Sequence, residues 1–430
     1  MSVLRRGKSK GSDDARDESG PGEHPAVATS YLGRTFQSLA LKDYRNLWLS
    51  MLFMMGGMNM QMVTRGVLAY DLTNSAFMVG VISAGMAPPI FVFALYGGTI
   101  ADRLDRKRII QVAQLGMILN TGFVAMSIHT DTVTGWHLLG AALVQGVLFA
   151  FMMPARQSII PRLVGDRLIS NALALNASGM SIMTLAAPGI GGAVYGAWGP
   201  AAAYDIIVAF NVGAVLFSAL LPTVKSAGLQ ESKVLADMLD ALRYVRANST
   251  VMALLIIALG TTMIAMPARQ LIPVYVEESF ALGAGAVGVM LSIFGAGALA
   301  GSMFIAGLRR GSRRGLVLIM TTALSGASVL LLSISPIYLV AVAVMFFLGV
   351  ADSGRRALNN ALIMEQTDDE HRGRVSGIWM MNFGLMPLGV VPVAGLAEFF
   401  GIREAYAVSG AILLAFGIWF LVVNRKVRDL

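Results

Sequence analysis

Long apolar runs separated by short polar stretches recur from about residue 47 to residue 423. Each is near or above the roughly 20 residues that carry a helix across a hydrocarbon core of about 30 Å. The pattern predicts twelve spans, at 47–70, 77–100, 107–128, 136–155, 171–195, 202–222, 251–276, 284–308, 315–334, 337–360, 374–399 and 403–423. Spans 4 and 10 end in polar sequence, "PARQ" and "DSGRRALNN". The longest connection, 223–250, splits the spans six and six. Inside it Leu235, Met238, Leu242 and Val245 fall at helical spacing among charges. That segment reads as an amphipathic helix, either lying on a leaflet or packed against neighbouring helix ends. The chain thus divides into a polar, disordered tail (1–42), a six-helix bundle (43–222), a linker (223–250), a second bundle (251–424) and a short tail (425–430). No cleavable signal peptide is visible, since the first apolar run is too long for one.

The two bundles read as copies. "MQMVTRGVLAYDLTNSAFMVGV" aligns with "AMPARQLIPVYVEESFALGAGAVGV", setting Arg65 against Arg269, 204 positions on. "PRLVGDRLISNA" aligns with "MEQTDDEHRGRV" at an offset of 203. Two anchors with nearly one offset point to a duplicated unit.

Composition fits a membrane protein: 56% of residues are hydrophobic and 13% charged, with a mean hydropathy of +0.68. Cysteine is absent, which excludes disulfides and thiolate chemistry. The net charge of +8 would suit nucleic acid, but its distribution argues for the bilayer instead. With both termini inside the cell, nearly all of the 33 Lys and Arg fall on the inner side. Arg65 and Arg269 lie within spans, and only Arg403 falls in an outer loop. Neither a phosphate-binding loop nor a His-Glu-x-x-His motif is present, so ATP drive and an intramembrane metalloprotease are not expected. No cofactor or metal site is expected. A stripe of Met51, Met55, Met58 and Met62 on span 1 reads as adaptable packing rather than a path for a soft metal.

One connection breaks the apolar rule. "GGTIADRLDRKRII" packs six charges into seven residues, Asp102 to Arg108, between spans 2 and 3. Inner bases anchor topology, but Asp102 adds nothing to that signal. The pattern Gly98-x-x-x-Asp102-x-x-x-Arg106-Lys107 resembles the signature loop of the major facilitator superfamily, whose members are twelve-helix transporters. "KDYRNLWLS" through "YDLTNSAFMVG", and "PARQSIIPRLV" through "NALALN", resemble its transmembrane secretion effector branch, which includes siderophore exporters and macrolide pumps. The likeness covers residues 41–425. It implies an all-α integral membrane fold of two pseudo-symmetric six-helix bundles. It also implies a gating latch in which Asp102, Arg103 and Arg106 face the start of span 11, with Glu365 and Arg374 as partners. Asp105 departs from the family's glycine.

"APGIGGAVYG" in span 5 places Pro188, Gly191 and Gly192 in a Pro-x-x-Gly-Gly element that the resemblance links to exporters. Ordinary close packing of membrane helices uses the same residues. In span 4 Gln145 and Gly146 match a motif of proton-coupled members, but Ala142 stands where that motif has arginine.

Charge within a span marks function by default. Arg65, with Gln61 beside it, and Arg269 either line a central cavity, where they suit an anionic or carbonyl-rich substrate, or snorkel to the interface. Asp352, with Arg355 and Arg356 three and four positions on, is either a proton site or a permanent ion pair. These residues predict a monomeric cell-membrane exporter of small amphipathic molecules, with protons as the expected coupling ion by antiport. Proton-coupled import of a small anion is the alternative.

Overall fold

The computed structural model describes residues 36–93, 105–222, 234–308, 313–368, 371, 375, 384–428 and 430. Its regular structure is helical, as lipid demands of a chain that must satisfy its own backbone. A short 3-10 turn, Gln37–Ala40, precedes α1 (Lys42–Thr73). There follow α2 (Ala76–Ala84), α3 (Arg106–His129), α4 (Gly135–Val164) and α5 (Ile169–Ala219). The linker carries α6 (Val234–Ala247). The second half holds α7 (Ser249–Gln270), α8 (Ile272–Phe280), α9 (Ala284–Ala306), α10 (Arg314–Ile334), α11 (Tyr338–Glu365), α12 (Pro387–Phe400) and α13 (Ile402–Val423). Among the described residues nine helices are long and apolar enough to cross a membrane, counting residues 76–93 as one. α1 is long enough but more polar, and α12 is shorter.

Helix starts follow their capping residues. The Ser75 hydroxyl accepts from Met78 N (3.1 Å) at α2, and Asn248 accepts from Thr250 N and Val251 N (both 3.1 Å) at α7. Asp105 accepts from Lys107 N (2.9 Å), so the acid that departs from the family glycine caps α3.

α5 is 51 residues long, about 77 Å if straight, far more than a bilayer needs. It reverses at Gly199, whose φ of 81° lies in the left-handed region that favours glycine. Its first arm runs parallel to α1: Tyr44 Oη donates to Ala172 O (2.6 Å) and Trp48 Nε1 to Leu175 O (2.9 Å). Its second arm runs antiparallel to α3, with Ser218 donating to Gln114 (2.6 Å) and Asn211 to Thr121 (3.2 Å). Spans 5 and 6 are therefore joined by a one-residue break where a loop was expected. Span 7 is likewise interrupted, at Leu271 between α7 and α8.

The distribution of cores says how the halves meet. α1 begins, and α13 ends, at one end of the bundle, here called the terminal end. At the opposite end one apolar cluster takes residues from both halves, among them Val67, Ile82, Tyr204, Tyr275, Met290 and Tyr406. Toward the terminal end the clusters separate. One holds Tyr44, Ile110, Ile159 and Ala172; another holds Leu254, Leu318, Leu362 and Phe420. Among the described residues the halves share packing from the far end inward, through Ala84 and Ala87 against Met386 and Val390 and Phe91 against Gly384, while the clusters at the terminal end stay separate. α6 belongs to the second half: Val245 is buried in its cluster, and Tyr244 stacks on His371 at 4.3 Å. Of the two readings of the linker helix, its described side chains favour packing against helix ends.

Candidate functional site

The charged spans form two different settings. In the first half Gln61 and Arg65 lie one turn apart on α1 and face α4. Arg65 Nη1 donates to Gln145 Oε1 (2.8 Å), and Gln145 Nε2 donates to Gln61 Oε1 (2.8 Å). Arg65 Nη2 also reaches Met86 Sδ (3.9 Å). All three polar residues are buried, Arg65 at 8% exposure. The set is closed on itself, and Arg65 does not snorkel.

In the second half the polar residues open into a cavity. It is a narrow cleft, partly open to the surroundings, between α7, α9 and α11. Asp352, Arg355 and Arg356 share one face of α11. Arg355 Nη2 donates to Asp352 Oδ1 (2.6 Å) and Arg356 Nη2 to Asp352 Oδ2 (2.9 Å), so each carboxylate oxygen is held by its own arginine. Arg355 also donates to the Thr261 hydroxyl on α7. Arg269 projects from α7 over the Phe294 ring, 5.6 Å from its centroid. The rest of the lining is mainly apolar, including Ala265, Met266 and Leu348. An apolar chamber with a few charges at one side suits a small amphipathic molecule. Among the described residues no group of three or more His, Asp or Glu could hold a metal ion.

Of the expected cavity residues, Arg269, Asp352, Arg355 and Arg356 line this space. Gln61, Arg65 and Gln145 instead brace the first half. Pro188, Gly191 and Gly192 sit where α5 crosses its neighbours. A Cβ at Gly192 would lie 2.5 Å from Ala284 O, and one at Gly288 would lie 2.7 Å from Pro188 O, so α5 and α9 meet backbone to backbone across the halves. Gly191 packs on Met60 of α1.

Of the expected latch, Gly98, Asp102, Arg103 and Arg374 lie outside the described residues. Each of the two described members has a partner within its own half. Arg106 Nη1 donates to Ser158 O on α4 (2.9 Å), and Glu365 receives Arg314 Nη1 on both oxygens (2.7 and 2.8 Å). Arg106 and Arg314 open α3 and α10, the third span of each half, and reach the end of α4 and α11, the fourth.

Sequence reasoning missed Arg314, Phe294 and two braces that follow the repeat. Arg156 Nη2 donates to Leu47 O (2.9 Å), and Asn359 Nδ2, 203 positions on, donates to Leu254 O (2.8 Å). That offset was available to find them. It also missed the far-end seam. There Glu398 Oε2 accepts from Ser75 Oγ (3.0 Å) and Phe77 N (3.1 Å), and Tyr70 Oη donates to Glu278 Oε1 (3.2 Å).

A helical bundle of paired halves around a charged chamber defines a membrane transporter of the major facilitator fold. The chain belongs to the transmembrane secretion effector family, whose pattern it matches over residues 34–429. The enterobactin exporter EntS of Salmonella typhi is 24% identical over 362 residues, covering 83% of this chain and 86% of that protein. The fold is shared with the nucleoside transporter NupG (D323A mutant), with a TM-score of 0.77 and 12% identity, covering 89% of this chain and 100% of that one. It is shared too with a bacterial homologue of the human lysosomal transporter Spinster in an inward-facing, unoccupied conformation, with a TM-score of 0.64 and 14% identity, covering 90% and 95%.

Proposed function

We propose that this transporter exports small amphipathic molecules from the cell by alternating access, with the terminal end cytoplasmic. The observation that carries the reading is the core shared by the halves at the far end, where among the described residues the terminal-end clusters are separate, with the charged chamber between. Such an arrangement supports a state that takes cargo from inside. The concentration of Lys and Arg at the terminal end supports the orientation, and the exporter relative supports the direction. In this reading residues 43–222 and 251–424 rock as two bodies about the α5–α9 contact, as a monomer in the cell membrane. The linker 223–250 joins them, and the tails lie inside the cell. The latch at Asp102, Arg103 and Arg106 forms when the terminal end closes, and Glu365 then exchanges Arg314 for the loop.

Coupling follows from the charge of the cargo. A neutral or cationic molecule competes with a proton for the surroundings of Asp352, which is antiport. The excess of arginine in the chamber favours a second reading. A proton on Asp352 would free two guanidiniums for an anion, and anion and proton would then travel inward together.

The test is uptake of labelled amphiphiles into inside-out membrane vesicles carrying the chain. Accumulation in vesicles, lost in Asp102→Asn, is expected. Accumulation only in right-side-out vesicles under a proton gradient would reverse the direction.

A further inference from the structure

The two halves are copies, so each shows what the other does without. In the first, Arg65 is held by Gln145, which is held by Gln61. The repeat offsets of 204 and 203 carry these three positions to Arg269, Leu348 and Ala265. Both amides are therefore replaced by hydrocarbon, and both replacements line the chamber. The arginine remains while its ligands have gone, and the room they would fill is part of the cavity.

Arg269 has no direct ionic partner among the described residues, although the charge of Asp352 acts on it from a distance. Among the described residues its guanidinium makes no hydrogen bond or ion pair, and its Nε is buried without a partner. Asp352 makes no direct contact with it, its two carboxylate oxygens being bonded to Arg355 and Arg356. Three guanidiniums against one carboxylate leave the lining with a net charge of plus two. A buried cation without a direct ionic or hydrogen-bonding partner is unfavourable, and an anion from outside the chain would relieve it. Phe294 beneath the guanidinium offers a flat apolar surface beside the charge.

We infer that the chamber is a binding site for an amphipathic organic anion, such as a carboxylate, phenolate or sulfonate on an aromatic or aliphatic body. The anionic head sits on Arg269 and the outer face of Arg356, and the body lies along Phe294 and Met266. Arg65 takes no part. The inference names the cargo of the transporter proposed above and rests on that reading, but binding is tested apart from transport.

The probe is 1-naphthalenesulfonate, with 1-naphthalenemethanol as the same body without charge. Each is titrated calorimetrically into the full chain in lipid nanodiscs. The sulfonate is expected to bind at least tenfold tighter than the alcohol. Arg269→Gln is expected to weaken sulfonate binding at least tenfold and leave the alcohol unchanged, with Arg269→Lys in between. Thermal unfolding separates a binding role from a structural one. Without ligand, Arg269→Gln should unfold close to the wild-type temperature, because the arginine has no hydrogen bond or ion pair to lose, and the sulfonate should no longer raise it. Equal affinity for sulfonate and alcohol, sulfonate binding unchanged in Arg269→Gln, or no sulfonate binding by the wild type would each overturn the inference. Binding as expected without transport in vesicles would keep this site and discard the transporter reading.

Discussion

Glu398 caps α2 from the other half of the molecule, accepting from the Ser75 hydroxyl and the Phe77 amide. A carboxylate at a helix N-terminus makes charge-assisted bonds that an amide makes more weakly. Glu398→Gln should therefore loosen the far-end seam by about 1 kcal/mol, which moves the equilibrium toward far-end opening about fivefold. Because the chain has no cysteine of its own, a reporter at Val67→Cys, beside Tyr70 at that seam, reads this as maleimide labelling. Unchanged labelling would show that the seam does not limit opening. Residues differ in how legible they were. Arg65, Arg269 and Asp352 stand out as charges inside apolar runs. Glu398 does not, because it sits near a span end among ordinary loop acids, and its partner Ser75 is 323 positions away. The different fates of Arg65 and Arg269 were written in Gln145 and Leu348, but only once the repeat was applied to their neighbours as well.

α5 and α9 meet backbone to backbone across the halves, and in the proposed rocking motion this contact is the pivot. At Gly192 an added Cβ would press on Ala284 O at 2.5 Å and Gly288 Cα at 2.8 Å, both backbone atoms that cannot swing aside. Gly192→Val should cost about 1–3 kcal/mol by overpacking and reduce transport more than tenfold. Gly285→Ala, on the same helix pair but with nothing within 4 Å of its Cβ, should be silent in both unfolding temperature and transport. Equal effects from the two would detach transport from this close approach. At this scale the sequence was clear about the spans, since apolar length and the basic connections read directly as helices. It misled at two kinds of place. Spans 4 and 10 were expected to end in polar sequence at 155 and 360, yet α4 and α11 continue to Val164 and Glu365. Their polar residues are turned inward, Arg156 to Leu47 O and Asn359 to Leu254 O, so polarity there braces a helix rather than ending it. And "GAWGPAA" turns on Gly199 alone, because one left-handed residue is enough to reverse α5.

For the whole molecule the question is what drives it, and the anion cargo inferred above leads to a testable expectation. An anion on Arg269 leaves Asp352 with both of its arginines, so its binding requires no proton to move. The charge that crosses is then that of the cargo itself. An interior-negative potential of 100 mV acts on one elementary charge with about 2.3 kcal/mol, enough by itself for an outward gradient of about fiftyfold. Export of an anion would need no exchange for protons, while import would have to work against the same potential. In proteoliposomes loaded with 1-naphthalenesulfonate, an interior-negative potassium diffusion potential should accelerate efflux several-fold at equal pH on both sides. A pH gradient without a potential should do little. Asp352→Asn releases Arg355 and Arg356 to the cargo, so it should hold the sulfonate more tightly and release it more slowly, lowering turnover while improving affinity. Efflux that follows the pH gradient and ignores the potential would instead mean that Asp352 gives up its arginines and takes a proton in every cycle. The ion pairs on α11 would then be the moving part of the machine rather than its fixed wall.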